Sequence, residues 1–292
     1  MNYEPSELIT QLATDGSFSD FGKQLFYSNE PTLSDRSTFY TQCTIREKTV
    51  VLGCFTGQTL FDFGQNIYIF DVEDERLNGI EQVTAAHEML HVAYSRLSSS
   101  ERQHIDELIN AVYSNISDPR IASLAASYEE QDPASVPNEL HSIIATEVSD
   151  IGEELETYYS RYFSKRSQVV AYAEGYEQVF EDLHALVEQY DADLTARKAE
   201  ITQREAALAG QEATIRGLNE QLYTMLDNGQ IEAYNSLVPS YNRMVNSYNQ
   251  EVAAIQDLIG QYNAIVITRN AIVVEQQDLA QSIDSRPSAI TQ

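Results

Sequence analysis

The chemistry most legible in this chain sits in the stretch TAAHEMLHVAY, which contains His87-Glu88-Met89-Leu90-His91. Four residues is slightly more than one helical turn, so on a helix both imidazoles project from one face and can grip a single metal ion. Histidine nitrogen is a natural donor for zinc, and zinc lowers the pKa of a coordinated water to about 7. Glu88 lies one position round from His87, close enough to take that water's proton as it attacks a carbonyl, without itself ligating. A second reactive pair is formed by the only two cysteines, Cys43 and Cys54. They fall in TQCTIREKTVVLGCF, which reads as two short strands joined by a turn near 46–48. Across such a hairpin the sulfurs can face each other, and a bond implies an oxidising compartment. The alternative is two thiols, one packed among apolar neighbours.

Positioning two imidazoles requires a helix with a buried face, and the flanking sequence supplies one. Asn78 reads as an N-cap with Glu81 three residues on, in a capping-box pattern. From there Val83, Ala86, Leu90, Ala93 and Leu97 share a face. Ser98 with Glu101 repeats the start signal for a second helix. Asp118-Pro119 begins a third, with proline where its missing donor costs nothing. Pro133 and Pro137 break the chain before a helix from about 138 to 163. Upstream, residues 5–14 read as a short helix, while 49–55 and 66–72 read as strands.

With these elements in place, the segment 45–165 resembles the zinc metallopeptidases of the gluzincin type, whose third ligand is a glutamate from a later helix. The pattern of the other large class, a third histidine shortly after the second, is absent from VAYSRLSSSER. In PNELHSIIATEVSD the resemblance offers Glu139, followed three residues later by the small Ser142. The acidic or amide residue often found next is Ile143 here, so Glu147 stands as an alternative ligand. The resemblance implies zinc held by His87, His91 and Glu139, Glu88 as general base, and hydrolysis of peptide bonds. It implies that the strand before the motif, NIYIFDV, pairs with extended substrate. It also implies a donor for the developing oxyanion, for which His141, Tyr158, Tyr159, Arg161 and Tyr162 are candidates.

Beyond residue 165 the chain changes character. Val187, Leu194, Ile201, Leu208, Ile215 and Leu222 recur every seven residues, beside Leu183, Tyr190, Arg197, Arg204, Gln211, Leu218 and Met225. Asp227-Asn228-Gly229 is a turn signal. The return carries a Tyr-Asn repeat at 234, 241, 248 and 262. Beside it run Val238, Val245, Val252, Ile259, Val266 and Val273, and then Leu237, Met244, Leu258, Ile265, Ile272 and Leu279. These stripes predict an antiparallel coiled-coil hairpin on the order of 90 Å long, kinked at Pro239. The expected organisation is a mainly helical α+β protein: a zincin-like domain with a small sheet at 1–165, then a coiled-coil arm at 166–292. The arm offers a surface for a protein partner or for self-association.

Composition narrows the partners further. The formal net charge is −27 over 292 residues, a field that repels phosphate, so nucleic acid is excluded as a partner. No apolar run approaches the roughly 18 residues a membrane span needs. Met1 is followed by a polar, acidic stretch rather than an apolar targeting segment. A Cys43–Cys54 bond would place the chain in the cell envelope or outside the cell, and free thiols in the cytoplasm. Two other classes compete with a peptidase: a coiled-coil scaffold or adhesion protein with an inactive zinc domain, and a zinc-dependent amidase.

Overall fold

The computed structural model describes residues 3–43, 50–56 and 66–286. The turn expected at 46–48 lies outside the described residues. The chain divides into two units, one formed by 1–181 with 277–292 and the other by 182–276. The division therefore falls some 16 residues beyond the expected boundary at 165, and the end of the chain belongs with the first unit.

In the first unit, α1 (Glu7–Asp15) and α2 (Asp20–Tyr27) are each opened by a serine, Ser6 and Ser19, whose hydroxyl accepts an orphan helix N–H. Strand β1 (Thr32–Ser34) leads to α3 (Arg36–Gln42), capped by Asp35. Cys43 closes α3, and it is bonded to Cys54 in β2 (Gly53–Thr56). The expected hairpin is thus corrected over its described residues: Thr41 and Gln42 end α3 and Cys43 is its C-cap, because Asp35 opens that helix by accepting the N–H of Thr38. Strand β3 (Asn66–Phe70) lies between the other two, parallel to β1 and antiparallel to β2.

Helix α4 (Ile80–Ser95) is the core element, with Ile80, Val83, Ala85, Ala86, Met89, Leu90, Val92 and Ala93 all buried. It packs on α1, α2, α7, β2 and β3. Asn78 does not cap it. Gly79 does, at φ 104°, and an added Cβ there would come within 2.5 Å of the Tyr172 ring. Glu81, freed from a capping box, reaches back to accept the N–H of Val72 at 2.9 Å and fastens the end of the sheet to the helix. Burial raises its pKa from 4.5 to about 7, against the Val72 hydrogen bond, and Asp71 pushes it the same way. Between those values the folded chain holds a proton that the unfolded chain has released, so stability falls as pH rises. Glu81→Gln keeps the acceptor and removes the titration. Thermal unfolding at pH 5 and pH 7.5 should show the fall in Tm shrinking by about 3 °C in the variant.

Helices α5 (Ser99–Tyr113) and α6 (Pro119–Gln131) start as the sequence predicts. Ser98 and Glu101 form a capping box, and Asp118 caps a helix with proline in its first turn. The single helix expected at 138–163 is two, α7 (Val136–Glu147) and α8 (Gly152–Tyr159). The break is held by Arg166, whose buried guanidinium donates to the carbonyls of Ala145, Val148 and Ser149 at 2.7 to 3.0 Å and pairs with Glu156. A distant arginine thus satisfies the carbonyls that α7 leaves open at its end.

Helix α9 (Arg166–Asp227) and helix α10 (Ile231–Ser282) contribute their facing stretches to the second unit. They join at Gly229, φ 66°, as the turn signal predicts. The two columns of α9 are half-buried from Leu183 to Met225, with Leu222 buried, while most positions between them are exposed. Arg197 and Arg204, which interrupt one column, pair across the hairpin with Gln261 at 2.7 Å and Glu251 at 3.2 Å, and Arg269 grips Asp191. The Tyr-Asn repeat divides its labour: the tyrosines are half-buried and the asparagines face solvent. Ile259 departs from its expected column and is 37% exposed, whereas Ile255 is buried. Helix α10 continues past Pro239. Among the described residues no helix is long and apolar enough to cross a membrane.

Candidate metal centre

His87 and His91 lie on the one face of α4 that turns away from its apolar contacts, their rings edge to face with centroids 4.6 Å apart. Their side chains keep 18% and 12% of their surface, enough to reach a ligand from a largely dry wall. Helix α7 crosses beside them and brings Glu139, with one carboxylate oxygen 3.3 Å from His87 Nε2 and the other 3.6 Å from His91 Nε2. A tetrahedron of donors about 2.0–2.1 Å from zinc has edges of about 3.3–3.4 Å; each separation is near one such edge, with a different carboxylate oxygen toward each imidazole. Burial pushes the Glu139 carboxyl up. The charges of His91 and His87 and hydrogen bonds from His87 and Tyr128 outweigh that and hold it at about 2, ionised as a ligand must be.

Glu88 points the same way from the next position. His87, Glu88 and His91 each offer a ligand atom within 4.8 Å of the others, a group that could hold a metal ion. Glu88 is only 4% exposed. Its carboxylate is set against Gly53 of β2, where an added Cβ would lie 2.5 Å from Oε1, 2.6 Å from Cγ and 2.7 Å from Thr84 Cγ2. Glycine at 53 is therefore what lets the strand approach the helix. Gly53→Ala should cost about 1–3 kcal/mol, read as a lowered midpoint in urea unfolding.

The candidate ligands are themselves held. Ser142 Oγ lies 3.3 Å from His91 Nδ1 and fixes the second nitrogen of that ring, as outer partners of metal-bound histidines do. Glu147, the alternative ligand, lines the cavity over the histidines with its carboxylate held by Arg120 of α6 at 2.6 Å, and Arg120 also grips Glu177 at 2.7 Å. The expected oxyanion donors form a cluster behind α7. His141 Nε2 meets the Tyr158 hydroxyl at 2.9 Å, and Tyr159 donates to the His141 carbonyl at 2.8 Å. Burial, then the charges of His91 and His87, push the His141 pKa down to about 3. Arg161 is exposed and stacks over Tyr158 and Tyr162.

None of these five side chains lines the cavity of about 370 Å³ that opens over His87, Glu88, His91 and Glu139. The tyrosines that do line it are Tyr128 of α6, bonded to Glu139, and Tyr176 of α9. Nothing in the spacing of α6 singles out Tyr128, since its role comes from the way α6 packs on α7. The strand facing the cavity also differs from expectation. NIYIF is the central strand, paired on both sides, and the edge strand that lines the cavity is β2. The disulfide lines it too. Set against protein-family models, curated proteins and solved structures, the chain matches none, so its functional reading rests on the geometry of this centre.

Proposed function

We propose that this chain is a zinc-dependent peptidase of the gluzincin type, acting on extended peptide or protein substrates. The observation that carries the reading is Glu139 within 3.3 and 3.6 Å of the two Nε2 atoms of an HExxH helix. His87, His91 and Glu139 would hold the ion. When bound, zinc supplies a water acidified to near neutrality and a Lewis acid for the carbonyl. Glu88 takes the proton of the attacking water on its carboxylate and passes it to the departing amine nitrogen. Tyr128 directs its single hydroxyl proton to the Glu139 carboxylate and steadies that candidate ligand. An extended substrate segment adds to the free edge of β2, whose backbone is paired on one side among the described residues. The Cys43–Cys54 bond supports a site of action in an oxidising compartment.

The test is metal analysis of protein purified without added zinc, followed by assay on a library of quenched fluorescent peptides. One zinc per chain, and cleavage abolished by a chelator and restored by zinc, is the expected result. A metal-free protein that takes up no zinc on titration would overturn the reading.

A further inference from the structure

The β2 side of the cavity is fastened at Leu52, at Cys54 and at Val51. The Leu52 carbonyl accepts the Phe70 N–H at 2.8 Å, and Cys54 is bonded to Cys43. The third fastening comes from the far end of the chain: Ser285 Oγ donates to the Val51 carbonyl at 2.6 Å across 234 residues of sequence. Ser285 is 1% exposed. The segment that carries it is docked on its own account, with Leu279 fully buried and Arg36 of α3 donating to the Gln281 carbonyl at 2.9 Å. Residues 277–286 and the site belong to one unit. Between Val51 and Cys54 lies Gly53, in contact with Glu88. A displacement of this short wall therefore changes the space at Glu88, the carboxylate that the proposed reading makes the general base.

We propose that Ser285 is a positioning residue for the candidate metal centre, its hydroxyl holding the β2 wall in place so that the site is complete only when the end of α10 has returned to the first unit. A buried hydroxyl is retained where it has a partner, and the partner here is the wall itself. Packing alone would be served by alanine. The proposal rests on the peptidase reading for what the wall does, and on geometry alone for what Ser285 does to the wall.

The experiment uses the full chain as wild type, Ser285→Ala, Ser285→Thr and, as a control, Ser282→Ala, which loses only a hydrogen bond to Leu279 within its own helix end. Hydrogen exchange is followed at 50–56 and in α4, and each protein is titrated with cobalt(II) while its visible absorption is recorded. Ser285→Ala should speed exchange at 53–56 about tenfold with α4 unchanged, the loss of one buried hydrogen bond worth about 1.4 kcal/mol. Its cobalt spectrum should shift, and Ser285→Thr should restore both signals. Equal exchange in wild type and Ser285→Ala would overturn the proposal, as would a threonine variant no better than alanine or a matching acceleration in α4. If wild type binds no cobalt, the peptidase reading falls and the exchange data alone decide the role of Ser285.

Discussion

Glu88→Gln should retain one zinc per chain and lose about 10³-fold or more in peptide hydrolysis. The substitution is isosteric, and the three proposed ligands are untouched. An amide oxygen cannot accept the water's proton under working conditions, and general-base catalysis of this kind supplies about 10²–10⁴-fold. Glu88 is also nearly fully buried between Gly53 and Thr84. The variant therefore exchanges a buried carboxylate for a neutral group of the same shape, and its Tm should not fall. The measurement pairs metal content with turnover on the same preparation. Loss of zinc would make Glu88 a ligand, consistent with its place within 4.8 Å of both histidines. Undiminished turnover would remove it from the reaction.

What the sequence made legible is what local periodicity encodes. His87 and His91 share a face because they are four residues apart on a helix, and that spacing needs no tertiary information. The heptad columns of α9 and α10, the capping box at Ser98 and the turn at Gly229 are local in the same sense. The failures share a cause too. The break between α7 and α8 is invisible in a run without proline, because its open carbonyls are satisfied by Arg166, some 17 to 21 residues on. Asn78 looks like a cap until Tyr172 closes over Gly79 and leaves only glycine room to start α4. Tyr128, Gly53 and Ser285 carry no motif. Each acquires its role from a neighbour in space: Glu139, Glu88 and Val51 respectively. The helix that holds the histidines can be read along the chain, whereas the walls of the site are assembled from segments whose adjacency no spacing records.

The choice between Glu139 and Glu147 is the point at which the two kinds of information meet. The sequence offers both, eight residues apart on one helix, and Ser142 three residues after the first is the only local hint. Their partners separate them. Glu139 faces both imidazoles, whereas Glu147 spends its charge on Arg120. Glu139→Ala should therefore weaken zinc binding by at least about 100-fold, since even outer partners of metal ligands are worth 10- to 100-fold. Glu147→Ala should leave affinity within about threefold and instead lower stability. Arg120 is 41% exposed in its side chain and keeps Glu177 at 2.7 Å, so the loss should be near 1 kcal/mol rather than the 3–5 kcal/mol of an orphaned buried charge. Competition against a chromophoric chelator gives the affinities, and urea unfolding gives the stabilities. The two variants should thus fail in different assays, one in metal binding and one in folding. A Glu147→Ala protein that loses zinc more readily than Glu139→Ala would move the ligand role to Glu147. It would also require Arg120 to release that carboxylate when the ion arrives.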